Sequence, residues 1–153
     1  MRFFFEIFAQ DLVLSRAFYA NAIGLTVTHE SPEFIDLEKG EVKLHLVARD
    51  HLPAAQRKRG CVGMPAACAV QVCFEVPDIL EAYDLARHSG HPLTDPLRDQ
   101  PWGRTDFRMF DSDGVYVRVT GQRPVPTGLV PTGRGATSRG ATGRGATGRN
   151  STG

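Results

Sequence analysis

Apolar and polar residues follow the same order twice along this chain. Each time an alternating apolar stretch leads to an Asp, then to apolar residues at helical spacing, then to a Gly and further short alternating stretches. The two Asp residues, Asp11 and Asp78, are typical helix N-caps, while Gly24 and Gly90 mark the helix ends. Aligning Asp11 with Asp78 superposes the two glycines within one residue. An internal repeat of two βαβββ modules is therefore predicted.

The boundaries of the predicted elements follow from these patterns. The first module is predicted to have a strand over 3–9, a helix from Asp11 to Ala22, and strands near 25–28, 34–38 and 42–47. The second is predicted to have a strand over 70–76, a helix from Asp78 to Gly90, and strands near 91–93, 105–110 and 115–120. The turn between the last two strands carries Asp and Gly, which favour tight turns.

Alternation also predicts which side chains share a face of each sheet. Phe3, Phe5 and Ile7 form a wholly apolar set that is expected to lie under the helix. The mixed sets are expected on the opposite, concave face: Phe4, Glu6 and Phe8 in the first strand, with Gln71, Cys73 and Glu75 in the fifth.

Three sequence features, in this order and spacing, resemble the glyoxalase / bleomycin resistance / extradiol dioxygenase (vicinal oxygen chelate) superfamily. They are Asp11-x-x-x-Ser15-x-x-Phe18-Tyr19 with Ile23-Gly24, the segment Phe74–Ile79, and Pro101-Trp102-Gly103 leading to Asp111-Ser112-Asp113-Gly114. The resemblance implies an α+β fold in which two βαβββ modules form a curved mixed sheet around a cavity. The domain is expected over 1–122, with module 1 at about 1–48, a linker at 49–69 and module 2 at about 70–122.

The metal enzymes of this superfamily place one ligand from each of four strands in the cavity. The resemblance places those positions at Phe4, His45, Gln71 and Arg118. Phenylalanine has no donor atom and a guanidinium does not bind a metal ion, so His45 and Gln71 are the only metal candidates. We therefore expect no cofactor and no catalytic residue, the alternative being a divalent metal ion.

Arg118 offers two interpretations at this position. It is either a clamp for an anion or the partner of Glu6 or Glu75 in a salt bridge. Trp102 either stacks on a planar ligand or plugs the end of the interface between modules. The predicted ligand-binding set is Phe4, Glu6, Phe8, His45, Gln71, Glu75, Trp102, Arg108, Phe110 and Arg118.

Composition narrows the remaining possibilities. The net charge of +1 combines −3 over residues 1–123 with +4 over the rest, where four arginines occur without an acid. Residues 123–153 are rich in Gly, Thr and Arg and lack apolar bulk, which predicts a disordered tail. The pattern contains no membrane span or signal peptide, so a cytoplasmic location is expected. Nucleic-acid binding is not favoured, because four spaced charges without aromatic residues make a poor patch.

Three functions remain open. The first is a non-catalytic protein that sequesters a small, antibiotic-like molecule, similar to bleomycin resistance proteins, which are typically homodimers with clefts between subunits. The alternative is a metal-dependent lyase, isomerase or dioxygenase of the same superfamily. The third is an interaction module that uses its tail as the contact.

Overall fold

The computed structural model describes residues 4–52 and 70–124, and these contain the predicted βαβββ order twice. In module 1 the elements are β1 (Phe5–Ala9), α1 (Leu12–Ala17), a π-helical turn (Phe18–Ala22), β2 (Thr26–Glu30), β3 (Phe34–Lys39), β4 (Val42–Ala48) and a 3-10 turn (Arg49–His51). In module 2 they are β5 (Gln71–Glu75), α2 (Ile79–His88), β6 (Leu93–Asp99), β7 (Thr105–Phe110) and β8 (Tyr116–Gly121). Most of the predicted linker and tail lies outside the described residues. No helix of the described part is long and apolar enough to cross a membrane.

Each module forms its own four-stranded mixed sheet. The strand orders are β1-β4-β3-β2 and β5-β8-β7-β6, so the two sheets have the same topology. The first strand of each module pairs in parallel with the last, and the other pairs are antiparallel. The predicted α+β fold of two βαβββ modules is confirmed.

Both predicted helix caps are present. The Asp11 carboxylate accepts hydrogen bonds from the backbone N–H groups of Val13 and Leu14, at 2.8 and 3.1 Å. Asp78 accepts two equivalent bonds at 3.0 Å each. These bonds satisfy N–H groups that have no partner inside the helix. The repeat extends to the helix ends, where Gly24 and Gly90 both have φ of 80°.

The predicted single helix from Asp11 to Ala22 is wrong in its second half. The α-helix ends at Ala17 and a π-helical turn covers Phe18–Ala22. The neighbouring side chains of Phe18 and Tyr19 in this turn are both buried, while Leu14 on the preceding helix is exposed. A long-range bond from Tyr19, described below, accompanies this change, and π-turns of this kind often serve a specific contact.

The sixth strand is longer than predicted. It runs from Leu93 to Asp99 and includes Pro96. Proline removes a backbone donor, so it is tolerated chiefly at a sheet edge. β6 lies at the edge of its sheet, and its pairing with β7 is irregular on both sides of Asp95.

The predicted alternation of buried and unburied side chains is confirmed, but the mixed sets that were expected on a concave face are largely exposed, including Glu6, Gln71 and Glu75. Alternate residues such as Ile7, Leu46, Val72 and Val119 are buried on the helix side of their sheets. The intervening residues lie on the outer faces, and Cys73 is exposed there. Phe3 lies outside the described residues.

Among the described residues, hydrogen bonds between side chains join the two modules at one place. The buried Tyr19 hydroxyl donates to Asp111 at 2.8 Å, and the Ser15 hydroxyl donates to Asp113 at 3.0 Å. Ser15 also lies 2.9 Å from the Ser112 hydroxyl. We call these five residues the module joint. It fixes the helical layer of module 1 on the β7–β8 turn of module 2 and leaves the outer face of each sheet open.

Candidate functional site

The structure distributes the predicted site residues over two open faces. Glu6, Phe8 and His45 lie on the outer face of the first sheet, which we call the module-1 face, and Phe4 directly precedes β1 there. The others lie on or beside the outer face of the second sheet, the module-2 face: Gln71, Glu75, Trp102, Arg108, Phe110 and Arg118. Among the described residues no hydrogen bond, ion pair or ring contact connects the two sets. A single chain therefore provides two separate walls.

On the module-1 face, strand pairing brings His45 between two acids. Glu6 and Asp36 lie directly opposite it on the neighbouring strands. Its Nδ1 atom bonds to the Asp36 carboxylate, which orients the ring. Phe34 stacks between His29 and His45, with 5.0 Å between ring centroids on each side. This face combines acids with planar rings and is exposed at Phe4 and Phe8.

On the module-2 face, Arg118 forms an ion pair that the sequence analysis assigned wrongly. Its Nη2 atom lies 2.8 Å from Asp106 Oδ2, whereas Glu6 and Glu75 were the predicted partners. Asp106 is 1% exposed and also accepts a bond from Gln100 at 2.8 Å. Glu75 instead pairs with Arg104 at 2.6 Å. The buried Asp106 is a nearer partner because β7 and β8 are adjacent antiparallel strands.

The ion pair of Arg108 with Asp95 is longer than that of Arg118 with Asp106. The Nη1 atom of Arg108 lies 3.4 Å from Asp95, whose carboxylate also accepts bonds from Tyr116 and Arg98 at 3.1 Å each. Burial is the largest single influence on the pKa of Arg108 and acts to lower it. The hydrogen bond to Asp95 and the charges of Tyr116, Asp106 and Asp95 together outweigh burial, so the net shift is upward. Burial and the same acid raise the pKa of Tyr116. Arg108 therefore stays charged at any physiological pH.

Trp102 lies over Arg118 at the rim of this face. The guanidinium carbon is 5.4 Å from the centre of the indole ring, a cation–π distance. The indole is 57% exposed, so the alternative that Trp102 plugs the interface between modules is wrong. Phe110 and Tyr116 form an aromatic pair on the same face, with 4.9 Å between ring centroids.

Cys73 is the nucleophilic side chain of this face. It lies directly opposite Arg118 in the strand pairing and is exposed. Partial burial raises the pKa of its thiol, although the Arg118 charge acts in the opposite direction. The thiol is therefore less reactive than an unperturbed one at neutral pH.

Three residues of the module-2 face were missed by the sequence analysis: Asp95, Gln100 and Asp106. Alternation along β7 could have found Asp106, because it shares a face with Arg108 and Phe110. Asp95 belongs to the strand whose length was underestimated. Gln100 follows that strand in a loop and carries no local signal.

The four metal positions implied by the resemblance do not suit a metal ion. Arg118 places a cation beside Asp106, and Phe4 has no donor atom. His45, whose Nδ1 atom is bonded to Asp36, has only Nε2 left as a possible metal ligand. Gln71 lies on the other sheet from His45. Within residues 4–52 and 70–124, no group of three His, Cys, Asp or Glu residues is arranged to hold an ion.

Comparison with known proteins agrees with this architecture. The family model of the Glyoxalase/Bleomycin resistance protein/Dioxygenase superfamily matches residues 3–119. A bleomycin resistance protein from Geobacillus stearothermophilus is 31% identical over 114 residues, covering 67% of this chain and 83% of the relative.

Solved structures show the same fold at lower identity. TioX from Micromonospora sp. ML1 is 19% identical with a TM-score of 0.60, covering 83% of this chain and all of TioX. A family enzyme from Burkholderia phytofirmans PsJN is 17% identical with a TM-score of 0.65, covering 79% of this chain and 98% of the enzyme. The chain belongs to the glyoxalase/bleomycin resistance protein/dioxygenase superfamily.

Proposed function

We propose that this protein is a non-catalytic binder that sequesters a small, antibiotic-like molecule. The observation that carries the proposal is the ion pair between Arg118 and Asp106, at 2.8 Å. Arg118 stands at the position in the last strand where the metal enzymes of the superfamily carry an acidic ligand. A guanidinium there opposes metal binding, and without a metal the superfamily's usual chemistry lacks its electrophile. The similarity to a bleomycin resistance protein supports the same function.

The two open faces supply the surfaces that such a ligand needs. Planar ligands bind well to exposed aromatic side chains flanked by a few fixed polar groups. Phe4 and Phe8 provide the aromatic area on the module-1 face, and Trp102 provides it on the module-2 face. The ligand-binding role of the ten predicted residues is part of this proposal.

Since each face is only one wall of a cleft, the proposal includes a homodimer in which a second copy supplies the other wall. Light scattering during size-exclusion chromatography tests this directly. A monomer at all concentrations, with full ligand affinity, would contradict a shared cleft. The proposal also assigns binding to residues 1–122 and a cytoplasmic location. Removal of residues 124–153 is accordingly expected to leave dimerisation and ligand affinity unchanged.

A thermal-shift screen tests the function. Bleomycin-like glycopeptides, small aromatic antibiotics and divalent metal ions are added separately, because a ligand that binds only the folded state raises the melting temperature. We expect a shift with at least one organic compound and a smaller shift in Trp102→Ala, with Trp102→Phe as the conservative control. Stoichiometric metal in protein purified without chelators, together with turnover, would overturn the proposal.

The alternative function is a metal-dependent lyase, isomerase or dioxygenase. The observation that favours it is the His45–Asp36 pair, which orients the imidazole and leaves Nε2 without a hydrogen bond among the described residues. Equal metal content in the wild type and in His45→Ala would count against this alternative.

A further inference from the structure

Two arginines lie side by side on the module-2 face, and among the described residues each meets its acid through a single Nη atom. Arg108 and Arg118 are directly opposite each other in the β7–β8 pairing, and both side chains are about one-fifth exposed. Like charges in directly opposite positions of a sheet destabilise it. A protein that keeps such a pair half-buried needs negative charge close to both.

The acids of the described chain meet this need only in part. Each guanidinium has five N–H groups, yet Arg108 meets a carboxylate through Nη1 alone and Arg118 through Nη2 alone. The Nε atoms of both are buried without a hydrogen-bond partner among the described residues. Asp95, the partner of Arg108, is shared with Arg98 and Tyr116. Asp106 Oδ2, although it is 2.8 Å from Arg118, is likewise buried without a hydrogen bond among the described residues. The two arginines are therefore held by their acids with incomplete hydrogen bonding.

The charge of the module-2 face also favours a negatively charged ligand. Its ion-pair network holds the four arginines Arg98, Arg104, Arg108 and Arg118 against the three acids Glu75, Asp95 and Asp106. The local balance is positive, although residues 1–123 together are negative. An anion is attracted to this face and repelled by much of the remaining surface.

The surrounding side chains define what the anion is attached to. Trp102 covers Arg118, and the Phe110–Tyr116 pair belongs to the strands that carry the two arginines. Planar rings beside a guanidinium suit a flat ligand whose carboxylate lies in the plane of the ring. A carboxylate also accepts two parallel N–H hydrogen bonds from one guanidinium group, an arrangement that the ammonium group of a lysine does not provide.

We propose that the module-2 face binds an aromatic carboxylate, with Arg108 and Arg118 as the residues that select the negative charge. The carboxylate binds the Nη groups of Arg108, whose contact with Asp95 is the longer of the two arginine–acid contacts at 3.4 Å against 2.8 Å. The ring lies against Trp102. This inference rests on the proposed small-molecule function and names the chemical class of its ligand.

Three isosteric probes test the charge requirement. The compounds are 2-naphthoate, 2-naphthamide and 2-naphthamidine, which share one ring system and differ in charge. Trp102 is the only tryptophan of the chain, so quenching of its emission reports binding at this face. We expect the carboxylate to bind about tenfold or more tightly than the amide, and the amidine to bind least, because charge-assisted hydrogen bonds are the strong ones.

Matched variants locate the effect. Arg108→Gln is expected to weaken naphthoate binding about tenfold and to leave naphthamide binding unchanged. Arg87→Gln removes the same charge from α2, away from this face, and is the control. Since Arg118→Gln leaves Asp106 buried and unpaired, the double variant Arg118→Gln/Asp106→Asn is used for that position.

Three results would overturn the inference: equal affinity for naphthoate and naphthamide, equal loss in Arg108→Gln and Arg87→Gln, or no quenching by any of the naphthyl probes. In each case the thermal-shift screen with antibiotics still tests the proposed function, independently of the naphthyl probes. Binding of a cationic or neutral antibiotic would keep that function and remove the carboxylate from it.

Discussion

Replacing Tyr19 with Phe tests the account of the module joint. The Tyr19 side chain is completely buried, and its hydroxyl donates to Asp111 Oδ2 at 2.8 Å across 92 residues of sequence. Asp111 Oδ1 accepts two further bonds, from the backbone N–H groups of Asp113 and Val115 at 2.9 and 2.7 Å. The substitution thus removes one oxygen and leaves one carboxylate oxygen without its donor.

The expected cost follows from the charge of the acceptor. A hydrogen bond to a charged group contributes about 1.5–3 kcal/mol, and an orphaned buried acceptor costs a similar amount. Asp111 is 7% exposed, so water replaces the hydroxyl poorly. We expect Tyr19→Phe to lower the free energy of unfolding by about 2 kcal/mol. For a domain of this size the melting temperature should fall by about 8 °C.

The penalty should also depend on pH. Burial raises the pKa of the Asp111 carboxyl above its ordinary value, while the bond from Tyr19 acts to lower it. Without Tyr19 the pKa of Asp111 rises further, so the folded variant holds this proton more tightly than the unfolded chain does. Stability from that proton is present at low pH and is lost as pH rises through the folded pKa. The difference between variant and wild type should therefore shrink from about pH 7 to about pH 4.

Urea unfolding followed by circular dichroism measures this difference at both pH values. Tyr83→Phe is the matched control, because its hydroxyl has no hydrogen bond to another described residue and its ring packs on Phe107. The control should cost less than about 0.5 kcal/mol. The reasoning is refuted if Tyr19→Phe costs no more than the control, or if its cost is the same at the two pH values.

Two further predictions concern the module-2 face and the helix ends. Arg118→Gln should lower the free energy of unfolding, measured in urea, by about 3 kcal/mol, because Asp106 is left buried without its cation. The double variant Arg118→Gln/Asp106→Asn should recover most of this loss, because it removes the buried charge as well. Equal stability of the single and double variants would contradict this. Gly24→Ala should lower the melting temperature in calorimetry more than Gly90→Ala does. Both glycines have φ of 80°, but only at Gly24 would the added Cβ lie 2.8 Å from Leu85. An alanine at either position would carry about 1–2 kcal/mol of backbone strain from the positive φ alone. Indistinguishable melting temperatures would show that the Leu85 contact relaxes without cost.

Local chemistry explains why much of the fold was predictable. The caps at Asp11 and Asp78 depend on residues two and three positions away, so the sequence signal lies within one turn. Alternation likewise identifies the buried side of β5 at Val72 and Phe74 without knowledge of the partner strand. Two copies of each signal in the same order predicted the repeat.

The predictions that were wrong concern residues whose conformation or partner is set by residues far away in the sequence. The π-turn at Phe18 accompanies the bond from Tyr19 to Asp111, and no local pattern contains that contact. Arg118 was paired with Glu6 or Glu75 because the register of β7 against β8 was unknown, and the register selects Asp106. The division of the predicted site into two faces depends on how the modules dock. Pairing, register and docking are long-range properties.

The parallel pairing of first and last strands has a consequence for the order of folding. Phe5 pairs with Leu44, so a helix and two strands must be closed into a loop before β1 can join its sheet, whereas β3 and β4 are joined by a two-residue turn. Contacts between distant residues cost more chain entropy and form later. The β3–β4 and β7–β8 hairpins should therefore fold first, β1 and β5 should dock next, and the module joint should form last. In hydrogen exchange, the amides of Asp113 and Val115 should then lose protection before those of Phe107 and Val119.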